Sequence, residues 1–354
     1  MNIALDITPM TNASAGRGVG VYTRELVRAL KEFEKEHNYL LFTNKEKPPK
    51  PAQLIHYPYF DPFFLTLPLI KRKPTIVTVH DMIPLVFPKQ FPRGVKGEVK
   101  WQMQKMSLKG ARAIITDSEH SKNDIATIVG IQREKIFVVP LAISSEIKRV
   151  SDEKKLKDVQ DTYHLPSKFI MYVGDINWNK NITGLLQACS IVRKHHSDIH
   201  LVLVGKSFSN TNLAEQQEIH AQIDATGLHD VVHMVGGVSN DDLSALYSLA
   251  TVYVQPSMYE GFGFPILEAM SCGCPVVAGN NSSQIEIAGP SVVVNTKDEK
   301  EIAKGIEVVL DMTSEQRHER IQKGIVWSTI YSWKKVAKKT VEVYEHVINH
   351  HSNI

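Results

Sequence analysis

Short apolar runs recur along the chain and alternate with longer stretches of helical periodicity. In the first part they fall at residues 2–7, 39–42, 54–56, 75–79, 113–116 and 135–141. In the second they fall at 169–174, 200–205, 231–235, 251–255 and 275–278. Such runs read as strands covered on both faces, as in a parallel sheet. The stretches between them carry apolar residues near helical spacing. Examples are Leu26, Leu30 and Phe33 within 21–33, and Val336, Thr340, Val343 and Val347 within 333–348. Strand and helix in alternation predict an α/β class built of doubly wound sheets. Residues 143–166 break the rhythm: they are charged, lack strand character and predict a helix only near 154–163. That gap places a boundary between an N-terminal Rossmann-like domain, 1–146, and a C-terminal one, 147–330.

The length of 354 residues suits about two domains, each with its own core. A hydrophobic fraction of 43% and a charged fraction of 22% are ordinary for a globular chain. A net charge of +3 is too small to argue for nucleic acid, and none is expected as a partner. The three cysteines, Cys189, Cys272 and Cys274, lie in apolar segments and are expected to be reduced, structural thiols of a cytoplasmic protein. The opening residues 2–6 read as a strand onset rather than a signal peptide. The most apolar stretch, 60–70, is interrupted by Asp61, Pro62 and Pro68 and is too short to span a bilayer. Lys71, Arg72 and Lys73 follow it at once. Two readings stay open there, a peripheral contact at the inner membrane face or a surface loop beside a strand. The helix expected at 95–112, in which Val99, Met103 and Met106 alternate with lysines, leaves the same choice.

The chemistry concentrates in residues 257–275. Here an apolar strand is followed by a loop with Gly261 and Gly263, then by a short helix around 266–270 and another strand. Pro265 fits a first helical position, where its missing N–H is not needed. Glu260 precedes the helix and Glu268 lies inside it. Unpaired N–H groups and the positive end of the helix dipole attract an anion, and bare glycines let one approach. A phosphate at the helix mouth between two carboxylates suits a sugar nucleotide, since carboxylates accept from sugar and ribose hydroxyls. An ordinary strand–turn–helix with Glu268 on a solvated face is the alternative.

Other motifs are less specific. The glycine-rich loop at 12–20 follows the first strand, but its spacing is wrong for a dinucleotide fingerprint. The second strand also ends without the acidic residue that holds an adenosine ribose, which excludes NAD. Gly205-Lys206-Ser207 imitates the end of a Walker motif, yet His200 stands where its first glycine belongs. Lys206, at a strand's carboxyl end, can still reach a phosphate. His80-Asp81 closes another strand at the edge where α/β folds bind ligands, with a hydrogen bond inside the loop as the bland reading. No Asp-x-Asp pair occurs, so no metal site is expected.

The run EGFGFPILEAMSCGCPVV, with seven residues between Glu260 and Glu268, resembles the signature of glycosyltransferase family four. TVHDMIPLVFP around His80 is similar to that family's first-domain histidine loop. The resemblance implies the GT-B fold, two Rossmann-like domains facing across a cleft, with the helix at 331–354 crossing back to the first. It implies a retaining, metal-independent hexosyltransferase that needs no cofactor. Its donor would be a UDP-, GDP- or dTDP-sugar, and its acceptor a glycan or lipid-linked glycan of cell-surface polysaccharide synthesis. His80 then contacts the donor sugar, Glu260 its hydroxyls, and Lys180, with Lys206, the diphosphate. Gly18 and Gly20 line the acceptor side, and Glu260, Gly261, Phe262, Gly263, Phe264 and Glu268 surround the donor, with Glu268 on the ribose. The base would lie near Val238 and Ser239. Asp175 stands where family members often carry an arginine, so the usual two-cation clamp is incomplete. A sugar-nucleotide epimerase of the same outline and a catalytically silent sugar-nucleotide-binding subunit are the alternatives.

Overall fold

The computed structural model describes residues 1–12, 18–209 and 214–351. The chain divides into two units, Met1–Ala142 with Tyr331–Ile354, and Ile143–Ile330.

The first unit holds β1 (Asn2–Asp6), β2 (Asn38–Phe42), β3 (Leu54–Tyr57), β4 (Thr75–Thr78), β5 (Ala113–Thr116) and β6 (Ile136–Val138). They form one parallel sheet in the order β2-β1-β3-β4-β5-β6. The strand order reverses between β1 and β3. Central strands β3, β4 and β5 are buried along their whole length, which is why they read as unbroken apolar runs. The edge strand β2 is largely open to solvent. The helix Gly18–Phe33 buries Leu26 and Leu30. It begins earlier than the glycine-rich sequence suggests, so Gly18 and Gly20 lie in its first turn rather than in a loop. Residues 13–17 of that expected loop lie outside the described residues.

The last helix, Trp333–His351, packs on the helix Gly18–Phe33 and on β5. A buried polar chain fastens it. His56 on β3 meets the Tyr344 hydroxyl through Nδ1 at 2.7 Å and the Thr78 hydroxyl on β4 through Nε2 at 2.8 Å. Tyr22 completes the chain, its hydroxyl 3.3 Å from that of Thr78. Burial, with the charge of His80 adding to it, pushes the His56 imidazolium down to about 3. The ring is therefore neutral near pH 7 and works as one donor and one acceptor.

In the second unit β7 (Phe169–Val173), β8 (His200–Val204), β9 (Val232–Val235), β10 (Val252–Gln255), β11 (Val276–Gly279) and β12 (Val292–Val294) form a parallel sheet. Its order is β12-β11-β10-β7-β8-β9, the doubly wound arrangement with the reversal between β7 and β10. Ile170, Leu201, Leu203, Val252 and Val254 lie fully buried in its core with Leu185 and Leu186 of the helix Ile182–Val192. At the carboxyl edge the backbones of β7 and β8 nearly touch, and a Cβ on Gly205 would stand 2.1 Å from the Gly174 carbonyl oxygen. Only glycine fits there. Strand β12 and the helices Glu299–Leu310 and Ser314–Ser328 add to what the apolar pattern predicts.

Tyr344→Phe removes one partner of His56 and leaves its Nδ1 buried and unpaired. The expected cost is about 1–3 kcal/mol of stability, measured by urea unfolding of the parent and variant. An unchanged midpoint would show that the hydroxyl does not fasten the last helix.

Candidate active site

Two loops leave the second sheet at its reversal point, where doubly wound folds open a crevice for ligands. The loop after β7 carries the short turn Trp178–Lys180 and then Asn181, which adopts the left-handed conformation at φ 54° and precedes the helix Ile182–Val192. The loop after β10 carries Ser257 through Gly263 and runs into the helix Phe264–Ser271. Asparagine amides lock the two together. Asn179 donates to the Tyr259 carbonyl at 3.0 Å, and Asn181 donates to the carbonyls of Pro256 at 3.1 Å and Thr296 at 2.8 Å.

That lock brings Lys180 to Glu260. The ammonium stands 2.8 and 2.9 Å from the two carboxylate oxygens. Glu260 Oε1 also accepts from Gln255 Nε2 at 2.8 Å and from the Ser257 hydroxyl at 2.6 Å. Only 8% of the Glu260 side chain and 21% of the Lys180 side chain remain exposed. Removing such a pair from water is costly unless further hydrogen bonds repay it, and two neutral donors do so here. Gln255 is itself oriented by the Tyr253 hydroxyl. The loop backbone is pinned as well: Glu260 N–H donates to Ser282 Oγ, while the Ser283 hydroxyl donates to the carbonyls of Glu260 and Phe262.

Gly263 caps the helix Phe264–Ser271 at φ 101°, a conformation open to glycine. Pro265 is the second helical residue rather than the first, a shift of one that leaves its missing N–H harmless. Gly261 and Phe262 are buried, and the Phe262 and Phe264 rings meet edge to face with centroids 5.4 Å apart. Glu268 accepts from the Tyr247 hydroxyl at 3.0 Å. Burial pushes its carboxyl up to about 7, against the lowering effect of that hydrogen bond.

The other expected residues each have partners of their own. Ser239 caps the helix Asn240–Leu249 by accepting from the Asp242 N–H at 3.1 Å, and half-buried Val238 precedes it. Lys206 lays its stem on Gly237 and is exposed. Asp175, in place of an arginine, accepts from the Ser207 hydroxyl at 3.1 Å, and its carbonyl accepts from Tyr172. It ties the ends of β7 and β8 together. In the first unit His80 follows β4, and its Nδ1 lies 2.8 Å from Asp117 Oδ2. The Tyr22 ring stands edge-on to it at 4.5 Å. Burial alone would lower the His80 pKa, but the charge and hydrogen bond of Asp117, with Asp81, raise it above the ordinary value. The bond to Asp117 keeps a proton on Nδ1. In the second unit Gln255 and Ser257 hold Glu260, and Asn179 and Asn181 hold the loop backbone; in the first unit Asp117 holds His80; spacing singles out none of them. All three cysteines are buried, and burial pushes their thiols up to about 12, so they are inert.

With this geometry in place, comparison with known proteins is informative. Residues 50–146 match the profile Glycosyltransferase Family 4, and residues 154–327 match Glycosyl transferases group 1. The O-antigen chain mannosyltransferase B of Escherichia coli is 29% identical over 82% of this chain and 74% of its own length. The serotype-specific mannosyltransferase WbdA of Escherichia coli is 25% identical over 77% of this chain, which spans only 34% of that longer protein. Among solved structures, the sucrose-phosphate synthase of Thermosynechococcus elongatus superposes with a TM-score of 0.77 at 20% identity, covering 99% of this chain and 100% of that one. Anabaena Alr3699/HepE, solved with UDP and glucose, superposes with a TM-score of 0.72 at 16% identity, covering 97% and 99%. At such identities these structures speak to the fold alone. The two profiles, the mannosyltransferase relatives and the paired parallel sheets agree: the chain belongs to the family-four glycosyltransferases of the GT-B fold.

Proposed function

We propose that the chain is a retaining, metal-independent hexosyltransferase. It moves mannose, or a related hexose, from a nucleoside diphosphate sugar to a glycan or lipid-linked acceptor in cell-surface polysaccharide synthesis. The observation that carries this reading is the Lys180–Glu260 pair at the reversal point of the second sheet. One ammonium and one carboxylate, held rigidly side by side, match the two ends of an activated sugar. Lys180 faces the diphosphate and Glu260 the sugar hydroxyls. The mouth of the helix Phe264–Ser271 adds dipole to the phosphate side, and Glu268 receives the ribose hydroxyls. The mannosyltransferase relatives support the choice of sugar.

In the transfer, the bond between the anomeric carbon and the β-phosphate oxygen breaks. The acceptor hydroxyl attacks from the same face, and its proton passes to the leaving phosphate. Lys180 offsets the charge that develops there, a type of stabilisation worth about 3–4 kcal/mol per well-placed donor.

Glu260→Gln keeps the size of the side chain and removes its charge. Turnover should fall by about a hundredfold or more, and Lys180→Ala should do the same through the leaving group. Mass spectrometry of products from GDP-, UDP- and dTDP-sugars, with and without acceptor, reads both. Near-parental turnover in either variant would remove that residue from the mechanism, and sugar-nucleotide isomerisation without acceptor would replace transferase with epimerase.

The raised pKa of Glu268 predicts a pH dependence with a definite sign. Ribose hydroxyls donate to a carboxylate, so binding favours the ionised form, which is the minor one below pH 7. Nucleoside diphosphate affinity should strengthen by about tenfold between about pH 6 and pH 8 and then level off. Calorimetric titration checks this, and Glu268→Gln should flatten the profile.

A further inference from the structure

We propose that the first unit docks on an anionic phospholipid membrane through residues 63–73 and the adjoining helix Gly94–Lys109, with a basic hollow at the foot of that face seating lipid phosphates. This goes beyond the transfer reaction and does not depend on which sugar is moved.

The two segments form one surface. The Gln104 side-chain oxygen accepts from the backbone N–H groups of Thr66 and Leu67, each at 3.2 Å. The Ser107 hydroxyl donates to the Pro68 carbonyl at 2.7 Å, and the Lys100 ammonium lies 5.3 Å above the Phe64 ring. The helix buries Trp101, Gln104 and Leu108 and turns Val95, Val99 and Met106 outward. Among the described residues of this unit, every large apolar side chain at least half exposed lies in these segments: Phe64, Leu65, Leu69, Ile70, Val95, Val99 and Met106. Ile70 and Val95 are the most open, at 80% and 83%. A clustered apolar face in water marks a surface that something covers.

The charge around it says what that is. Residues 60–73 and 94–112 hold eight cations and two carboxylates. Both carboxylates are engaged: Asp61 accepts from the Tyr59 hydroxyl and two backbone N–H groups, and Glu98 pairs with Arg93 at 2.6 Å. Lys71, Arg72, Lys73, Lys109, Arg112 and Lys135 line a hollow of about 360 Å³ whose wall contains no carboxylate. These residues flank the amino-terminal ends of β4, β5 and β6, whereas His80 lies at the opposite, carboxyl end of β4. The hollow is therefore separate from the edge that carries the candidate catalytic histidine. Cations alone would also suit a nucleic acid. Exposed aliphatic side chains beside them gain nothing from a phosphodiester backbone, but they gain from an acyl layer beneath anionic headgroups.

Flotation with vesicles of phosphatidylcholine, alone or mixed with phosphatidylglycerol, tests this on the full chain. Binding is expected to the mixed vesicles only, and to weaken as salt is raised. Replacing Arg72, Lys109 and Arg112 together by alanine should weaken it by about a hundredfold, at roughly fivefold per cation. The native thiols are buried, so Ile70→Cys can carry a polarity-sensitive fluorophore, whose emission should shift to the blue on the mixed vesicles. Equal binding to neutral vesicles, full binding by the triple variant, or a label that stays in water on bound vesicles would overturn the proposal. So would capture of a DNA duplex in place of vesicles.

Discussion

A carboxylate taken out of water must be surrounded by donors, and the second unit is arranged around that requirement at Glu260. Lys180 supplies the charge, Gln255 and Ser257 supply neutral hydrogen bonds, and Ser282 and Ser283 hold the backbone that carries it. Lys180 follows β7, Gln255 and Ser257 lie at and just beyond the end of β10, and Ser282 and Ser283 follow β11, so the charged pair exists only when the loops after β7 and β10 meet. Asn179 and Asn181 make them meet. The left-handed backbone of Asn181 is part of the same arrangement, because it turns the side chain toward the carbonyls it bridges.

The sheet decides where this happens. The chain reverses its strand order between β7 and β10, and the helices that follow those two strands pass to opposite sides. The loops of β7 and β10 are therefore adjacent without a helix between them. Close contact between Gly174 and Gly205 narrows the neighbouring β7–β8 edge. Asp175 fills it with a hydrogen bond to Ser207, so the acidic residue at this position has a local structural task even though it brings no positive charge.

Much of this was legible in the sequence because buried parallel strands leave apolar runs and because the family signature spans Glu260 to Glu268. The eleven apolar runs all became strands with ends shifted by at most a few residues. Strand β12 escaped because three valines between a serine and an asparagine are too short a signal. The helix Ser314–Ser328 is polar over most of its surface, yet Thr313 and Gln316 form the capping box that announces its start. The partnership of Lys180 with Glu260 could not be read from spacing, since it joins residues eighty positions apart through asparagine side chains. His56 reads as a polar interruption in a strand, and its partner lies 288 residues away.

The return of the last helix to the first unit has a consequence for how the molecule is made. Residues 143–330 leave the ribosome as a continuous unit and can complete their sheet as soon as they emerge. The first unit cannot. Its sheet is synthesised early, but Tyr344 follows the whole of the second unit, and until it emerges His56 and Thr78 lack the hydroxyl that closes their chain. The half made first is thus the half finished last.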